Sequence, residues 1–133
     1  DLLSLNVNGV TLVNKIFALV DTNKGVISMA ADFDKIKNLT EQDIECLKNA
    51  EVSYGDSWRK RGGIGAFMML ARKWDRIENQ TNKQGYDMFA AIFADTTDTG
   101  LLDDIRDLRR YLLLVESFTA QVLEEANKQQ NDT

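Results

Sequence analysis

Two acidic stretches stand apart in this chain. KWDRIEN places Asp75 and Glu78 at i, i+3, and LLDDIRDLRR places Asp103, Asp104 and Asp107 at i, i+1 and i+4. On helices, each set puts carboxylates on a shared face, where like charges cost about 0.2–0.5 kcal/mol per pair unless something compensates them. If the two helices pack antiparallel, Asp75 and Glu78 meet Asp104 and Asp107 as four carboxylates around one point. Oxygen-only ligands without histidine suit Mg²⁺ or Mn²⁺, and a bound ion of that kind orients a phosphate and activates a water. The same spacing also fits two solvated helix faces with ion pairs to Arg76, Arg106 and Arg110. Asp103 can equally be placed by its attraction to a helix N-terminus.

The stretch YGDSWRKRGGIG is basic and aromatic at once. Arg59, Lys60 and Arg61 suit phosphate. Gly62, Gly63 and Gly65 let backbone N–H groups approach a ligand at a helix start, and Tyr54 or Trp58 can stack on a base. The spacing is not that of a P-loop. The alternative is a basic loop whose tryptophan anchors it to the core. Lys73, one turn ahead of the first acid pair, suits a phosphate or a carboxylate of the metal site. Tyr111, one turn beyond Asp107, suits a pocket wall or a helix interface. Trp74, Met68, Met69 and Met88 read as packing, and Cys46 as inert.

Composition narrows the chemistry. The 133 residues are 44% hydrophobic and 28% charged, which fits one globular domain. The chain has no histidine, which excludes Ser-His-Asp and Cys-His catalysis and histidine metal ligation. A net charge of −5 argues against tight binding to duplex nucleic acid, while leaving room for a small basic pocket holding a single nucleotide. The single cysteine cannot form an internal disulfide, so a cytoplasmic setting is expected. The first residues do not read as a signal peptide, and no segment is apolar enough to predict a membrane span.

The elements that must position these residues read as helices. The chain contains no proline. Val10–Asp21 carries Leu12, Ile16, Leu19 and Val20 at helical spacing, while Leu5–Val13 alternates weakly around an Asn-Gly turn signal, so a short hairpin competes there. Thr40 with Asp43 three residues on predicts a capped helix over Glu41–Ser53, ended by Gly55. A long helix is expected over Gly63–Gln80 with Phe67, Leu70, Ala71, Trp74 and Ile77 as its apolar stripe. Then come Tyr86–Ala94, a turn at Thr96–Gly100, and a last helix over Leu101–Lys128 with Ile105, Leu108, Leu112, Val115 and Phe118 inward. The expected fold is an all-α bundle of four to five helices around a long antiparallel pair.

An acid pair at i, i+3, a spacer of some two dozen residues, and a second acid pair leading into an apolar helix resemble the MazG-like all-α nucleotide pyrophosphohydrolase superfamily. Asp104-Ile-Arg-Asp107-Leu-Arg-Arg-Tyr111 is similar to that family's E-x-x-D helix. The wider run YGDSWRKRGG…ARKWDRIEN…DDIRDLRRYLLL also resembles the phage nucleotide modification associated domains. The likeness covers about Ala50–Glu116 and leaves residues 1–40 unassigned beside a helical core over 41–128. It implies Mg²⁺-dependent conversion of a nucleoside triphosphate to monophosphate and pyrophosphate by a homodimer or homotetramer. Asp75, Glu78, Asp104 and Asp107 would hold the metal, with Arg59, Arg61 and Lys73 neutralising phosphate. The chain departs from the superfamily in having Asp in the first pair, preceded by Lys73 and Trp74. Hydrolysis is the expected activity of this phage-type nucleotide-recognising protein; one methylene less of reach lends support to the alternative, a binder that sequesters a nucleotide or nucleotide-derived signal, or that regulates a host factor, without hydrolysing a substrate.

Overall fold

The structure, a computed structural model, describes residues 6–7, 10–20, 30–95, 97 and 99–132. It is an all-α bundle. Among the described residues there are five α-helices: α1 (Leu12–Val20), α2 (Phe33–Tyr54), α3 (Gly62–Asn82), α4 (Met88–Ala94) and α5 (Leu101–Asn131). A single turn of 3₁₀ helix, Ser57–Arg59, precedes α3. The only strands described are Asn6–Val7 (β1) and Val10–Thr11 (β2), paired antiparallel with Asn6 opposite Thr11 and Val7 opposite Val10. The hairpin and the helix expected over the same residues therefore share the segment, the ladder yielding to α1 at Leu12.

Helix α2 starts eight residues before its expected position, because the cap is Asp32 and not Thr40. The Asp32 carboxylate accepts the Lys35 N–H at 3.1 Å, satisfying one of the orphan donors of the first turn. The Thr40 hydroxyl instead donates to the Ile36 carbonyl at 2.9 Å within the helix. Residues 40 and 41 thus lie inside one continuous helix. Gly55, at a left-handed φ of 59°, ends it.

Helix α4 begins at Met88, two residues later than its spacing suggests. Tyr86 sits at φ 63° after Gly85 at φ 64°, outside helical space, and Asp87 caps the helix through the Ala90 N–H at 3.0 Å. Gly100 precedes α5 where a β-carbon would run into the Asp95 carbonyl oxygen, so only glycine allows this close passage.

The central pair is α3 with α5. Gln80, Arg76 and Lys73 of α3 meet Asp104 and Asp107 early in α5, while Trp58, just ahead of α3, meets Phe118 further along α5. That reversed order makes the pair antiparallel. Among the described residues the buried apolar core is Ile77, Ala91 and Leu101, flanked by Ile92, Ile105 and Leu108, at one end of the pair. No described helix is long and apolar enough to cross a membrane.

The α3 row turned towards α5 is Leu70, Lys73, Ile77 and Gln80 rather than the expected Phe67, Leu70, Ala71, Trp74 and Ile77. Phe67 and Trp74 are exposed. The reason is a polar one. Buried Asp104 demands cations opposite it, and rotating α3 to supply Lys73 and Arg76 carries Trp74 out to solvent.

Candidate functional site

Asp104 is fully buried, and its charge is answered entirely from α3. Its Oδ1 accepts the Arg76 Nε–H at 2.8 Å, its Oδ2 accepts the Gln80 amide at 2.8 Å, and Lys73 Nζ stands 3.6 Å away. Lys73 also reaches Asp107 Oδ2 at 2.8 Å, so one ammonium bridges both acids. Burial opposes the charge on Lys73. The Asp107 hydrogen bond and the attraction of Asp107 and Asp104 outweigh it and raise its pKa.

Asp75 and Glu78 do not join this cluster. Both are exposed, and Asp75 lines a shallow surface depression with Met68, Ala71, Arg72, Arg76 and Asn79. The helical repeat explains the separation: Asp75 follows Lys73 by two residues, about 200° round the axis, so the acid pair points away from α5. The acids that do converge are Asp103, Asp104 and Asp107, each offering a carboxylate oxygen within 4.8 Å of the others. As a divalent-cation site the set is compromised, because both Asp104 oxygens already accept hydrogen bonds and Asp107 holds Lys73. An ion there would have to displace the ammonium.

A second buried carboxylate lies among residues that the sequence did not single out as a site. Asp43, 1% exposed, sits on α2 and accepts Arg109 through Nε at 2.6 Å and Nη2 at 2.7 Å, and Arg110 through Nε at 2.9 Å. The Arg109 hydrogen bond is the largest influence on its carboxyl. With that of Arg110 and the charges of both guanidiniums, it outweighs desolvation and holds the pKa below the usual aspartate range. The legible signal was one acid at a stripe position of an otherwise apolar helix face, between Leu39 and Leu47. This pair ties α2 to α5.

The basic-aromatic stretch lines a ligand-sized groove. A groove of about 510 Å³ is lined by Trp58, Arg59, Gly62, Gly63, Phe67 and Phe118, with Ala66, Leu70, Val115 and Thr119 completing its floor. Trp58 meets Phe118 edge to face at 5.8 Å, and the Arg59 guanidinium lies 4.5 Å over the Phe118 ring. Arg59 also pairs with Asp56 at 2.8 Å. Gly62 takes a left-handed φ of 71° where the chain turns into α3, which puts the first turn of that helix against the groove.

Of the other expected ligand residues, Lys60 and Arg61 are exposed in the turn leading into α3, and Tyr54 is exposed at the end of α2. Tyr111 is half-buried on α5, and Lys73 belongs to the carboxylate cluster. Phe118, like Phe67, Leu70 and Val115, is a groove residue that sequence reasoning assigned to the core alone, since its spacing is that of an ordinary inward position.

No family model, no curated protein and no solved structure matches this chain.

Proposed function

We propose that this chain recognises a nucleotide or a nucleotide-derived phosphate ligand in the groove at the start of α3, and that it binds the ligand without hydrolysing it. One observation carries the reading: aromatic surface, a guanidinium and the first turn of a long helix share a single groove through Trp58, Phe118, Arg59 and Gly62–Gly63. A planar base finds ring surface there, and a phosphate finds Arg59 and backbone N–H groups aligned with the helix dipole. Lys60 and Arg61, in the adjoining turn, add positive charge at the rim. A volume of about 510 Å³ is within the range of small-molecule sites, roughly 300–1,000 Å³. The resemblance of this same stretch to the phage nucleotide modification associated domains points to the same ligand class.

Binding is favoured over catalysis by the placement of the acids. Asp75 and Glu78 face away from α5, and the charges of Asp104 and Asp107 are occupied by Lys73 and Arg76. The convergence of Asp103, Asp104 and Asp107 favours a second reading: Mg²⁺-dependent hydrolysis of a nucleoside triphosphate by a MazG-like protein, with the metal competing against Lys73.

The test is thermal unfolding with nucleoside triphosphates and with cyclic and ADP-ribose-type nucleotides, with and without Mg²⁺, followed by chromatography of the ligand. A bound ligand at a hundred times its dissociation constant stabilises by about 2.7 kcal/mol. A shift with the ligand recovered intact fits the binder. Pyrophosphate released only with Mg²⁺, and lost in Asp107→Asn, replaces it with the hydrolase. No shift with any ligand removes both.

A further inference from the structure

The groove at the start of α3 is mostly carbon. Trp58, Ala66, Phe67, Leu70, Val115 and Phe118 wall it, and Arg59 is the one charged side chain among the described residues that line it. Thr119 adds a hydroxyl, but its proton is already donated to the Val115 carbonyl at 2.9 Å. Its oxygen therefore accepts from a base amine or a ribose hydroxyl and offers a phosphate nothing. Anionic parts of a ligand must be met by Arg59 and by the first-turn N–H groups of α3, which the side chain at the cap position, Arg61, does not satisfy.

Arg59 does not bring a full charge to the groove. Its Nη2 pairs with Asp56 at 2.8 Å while its guanidinium lies 4.5 Å over the Phe118 ring, so it is held from two sides. Asp56 stands outside the lining, and its side chain caps nothing at the 3₁₀ turn it precedes, so the pair with Arg59 is its observed contact. Arg59 supplies one positive charge, the start of α3 about half of one, and Asp56 takes about one away, leaving about half a positive charge for the ligand. That suits one phosphate group. A second and a third phosphate would crowd against apolar carbon or project to the rim, where Lys60 and Arg61 are exposed and their pull is screened by water and salt.

We infer that the groove selects a nucleotide bearing a single phosphate group, and that Asp56 sets this selectivity by offsetting the charge of Arg59. The inference rests on the nucleotide reading of the same groove and narrows it. Ring surface carries the affinity, and the anionic part of the ligand is limited to what Arg59 and one helix start can neutralise. Asp56 acts through Arg59 and need not touch the ligand.

The test is calorimetric titration of the full chain at physiological salt, in chelator so that phosphate charge is not masked by metal. The probes are the monophosphate, the cyclic monophosphate and the triphosphate of adenosine, guanosine, cytidine and uridine. For the nucleoside that binds, the tighter of the two one-phosphate forms should bind about tenfold more tightly than the triphosphate, the scale of a few exposed charge interactions. Asp56→Asn keeps an oxygen for the Arg59 Nη2–H and removes the charge. In that variant the ratio should fall to about one, through a gain by the triphosphate. The wild-type order needs no variant to fold. A triphosphate that binds wild type as tightly as either one-phosphate form overturns the inference and leaves the nucleotide reading standing, as does a ratio unchanged in an Asp56→Asn protein with the wild-type melting temperature. No binding by any of these nucleotides removes the nucleotide reading and the inference together.

Discussion

Lys73 Nζ lies 2.8 Å from Asp107 Oδ2 and 3.6 Å from Asp104 Oδ1, so one ammonium of α3 answers two acids of α5. With Arg76 and Gln80 on Asp104, it makes a polar seam between two amphipathic helices, at the same end of the α3–α5 pair as the apolar core. Asp104 and Asp107 of LLDDIRDLRR are compensated, but from across the helix pair.

Removing Asp104 is expected to be costly. Its carboxylate is fully buried, while Lys73 and Arg76 are 20% and 49% exposed and can recover water when it is lost. Asp104→Ala should therefore cost about 2 kcal/mol, below the 3–5 kcal/mol of a pair whose remaining charge stays buried. Urea unfolding of wild type and variant measures it, and a cost near zero would mean that the seam does not hold α3 to α5.

Lys73 links the seam to alkaline pH. Its folded pKa is raised, so its contribution is complete below the ordinary lysine pKa of about 10.4 and is lost as pH rises through the higher folded value. Lys73→Met should lower stability at neutral pH and flatten the decline above about pH 10. Unfolding free energies along an alkaline series check the sign.

Asp43 makes the opposite prediction. Its folded pKa is depressed, so its contribution is present above about pH 4 and is lost as pH falls through the lower folded value. Asp43→Asn should cost about 2 kcal/mol at neutral pH, the scale of hydrogen bonds to a charged group. The gap from wild type should close on acidification. Urea unfolding between neutral pH and the acid limb tests both halves of the statement.

Two glycines near the groove should respond with opposite signs. A β-carbon on Gly65 would stand 2.7 Å from the Arg61 β-carbon, whereas one on Gly63 meets nothing within 4 Å. Gly65→Ala should cost on the order of 1 kcal/mol as the start of α3 shifts, and Gly63→Ala should stabilise by about 0.5 kcal/mol through the unfolded chain. Differential thermal unfolding of the two variants decides it.

Helix periodicity made the bundle and its central pair readable, since absence of proline and the Gly55 and Gly100 boundaries leave few alternatives. The cap of α2 was less legible: both Asp32 and Thr40 are good cap residues, and it is Asp32 that accepts a first-turn N–H, from Lys35, while the Thr40 hydroxyl donates back to the Ile36 carbonyl inside the helix. The acid quartet failed to assemble because i, i+3 spacing shows which acids share a face and not which way that face turns. That direction is set by buried Asp104 selecting Lys73 and Arg76, a contact between residues 28 and more positions apart. The groove was half legible. YGDSWRKRGG supplied Trp58, Arg59 and the glycines, while Phe118 comes from an inward position of α5 that spacing cannot distinguish from core.

The central claim is that a nucleotide sits in the groove beside Trp58. The chain has two tryptophans, and Trp74 is exposed on α3, outside the groove lining. In a Trp74→Phe background, Trp58 becomes the sole indole, and its fluorescence can be titrated with the nucleotide that most raises the melting temperature. Saturable quenching, weakened in Lys60→Ala/Arg61→Ala, is the predicted result. A nucleotide that raises the melting temperature yet leaves Trp58 emission unchanged would place the ligand elsewhere and contradict the account.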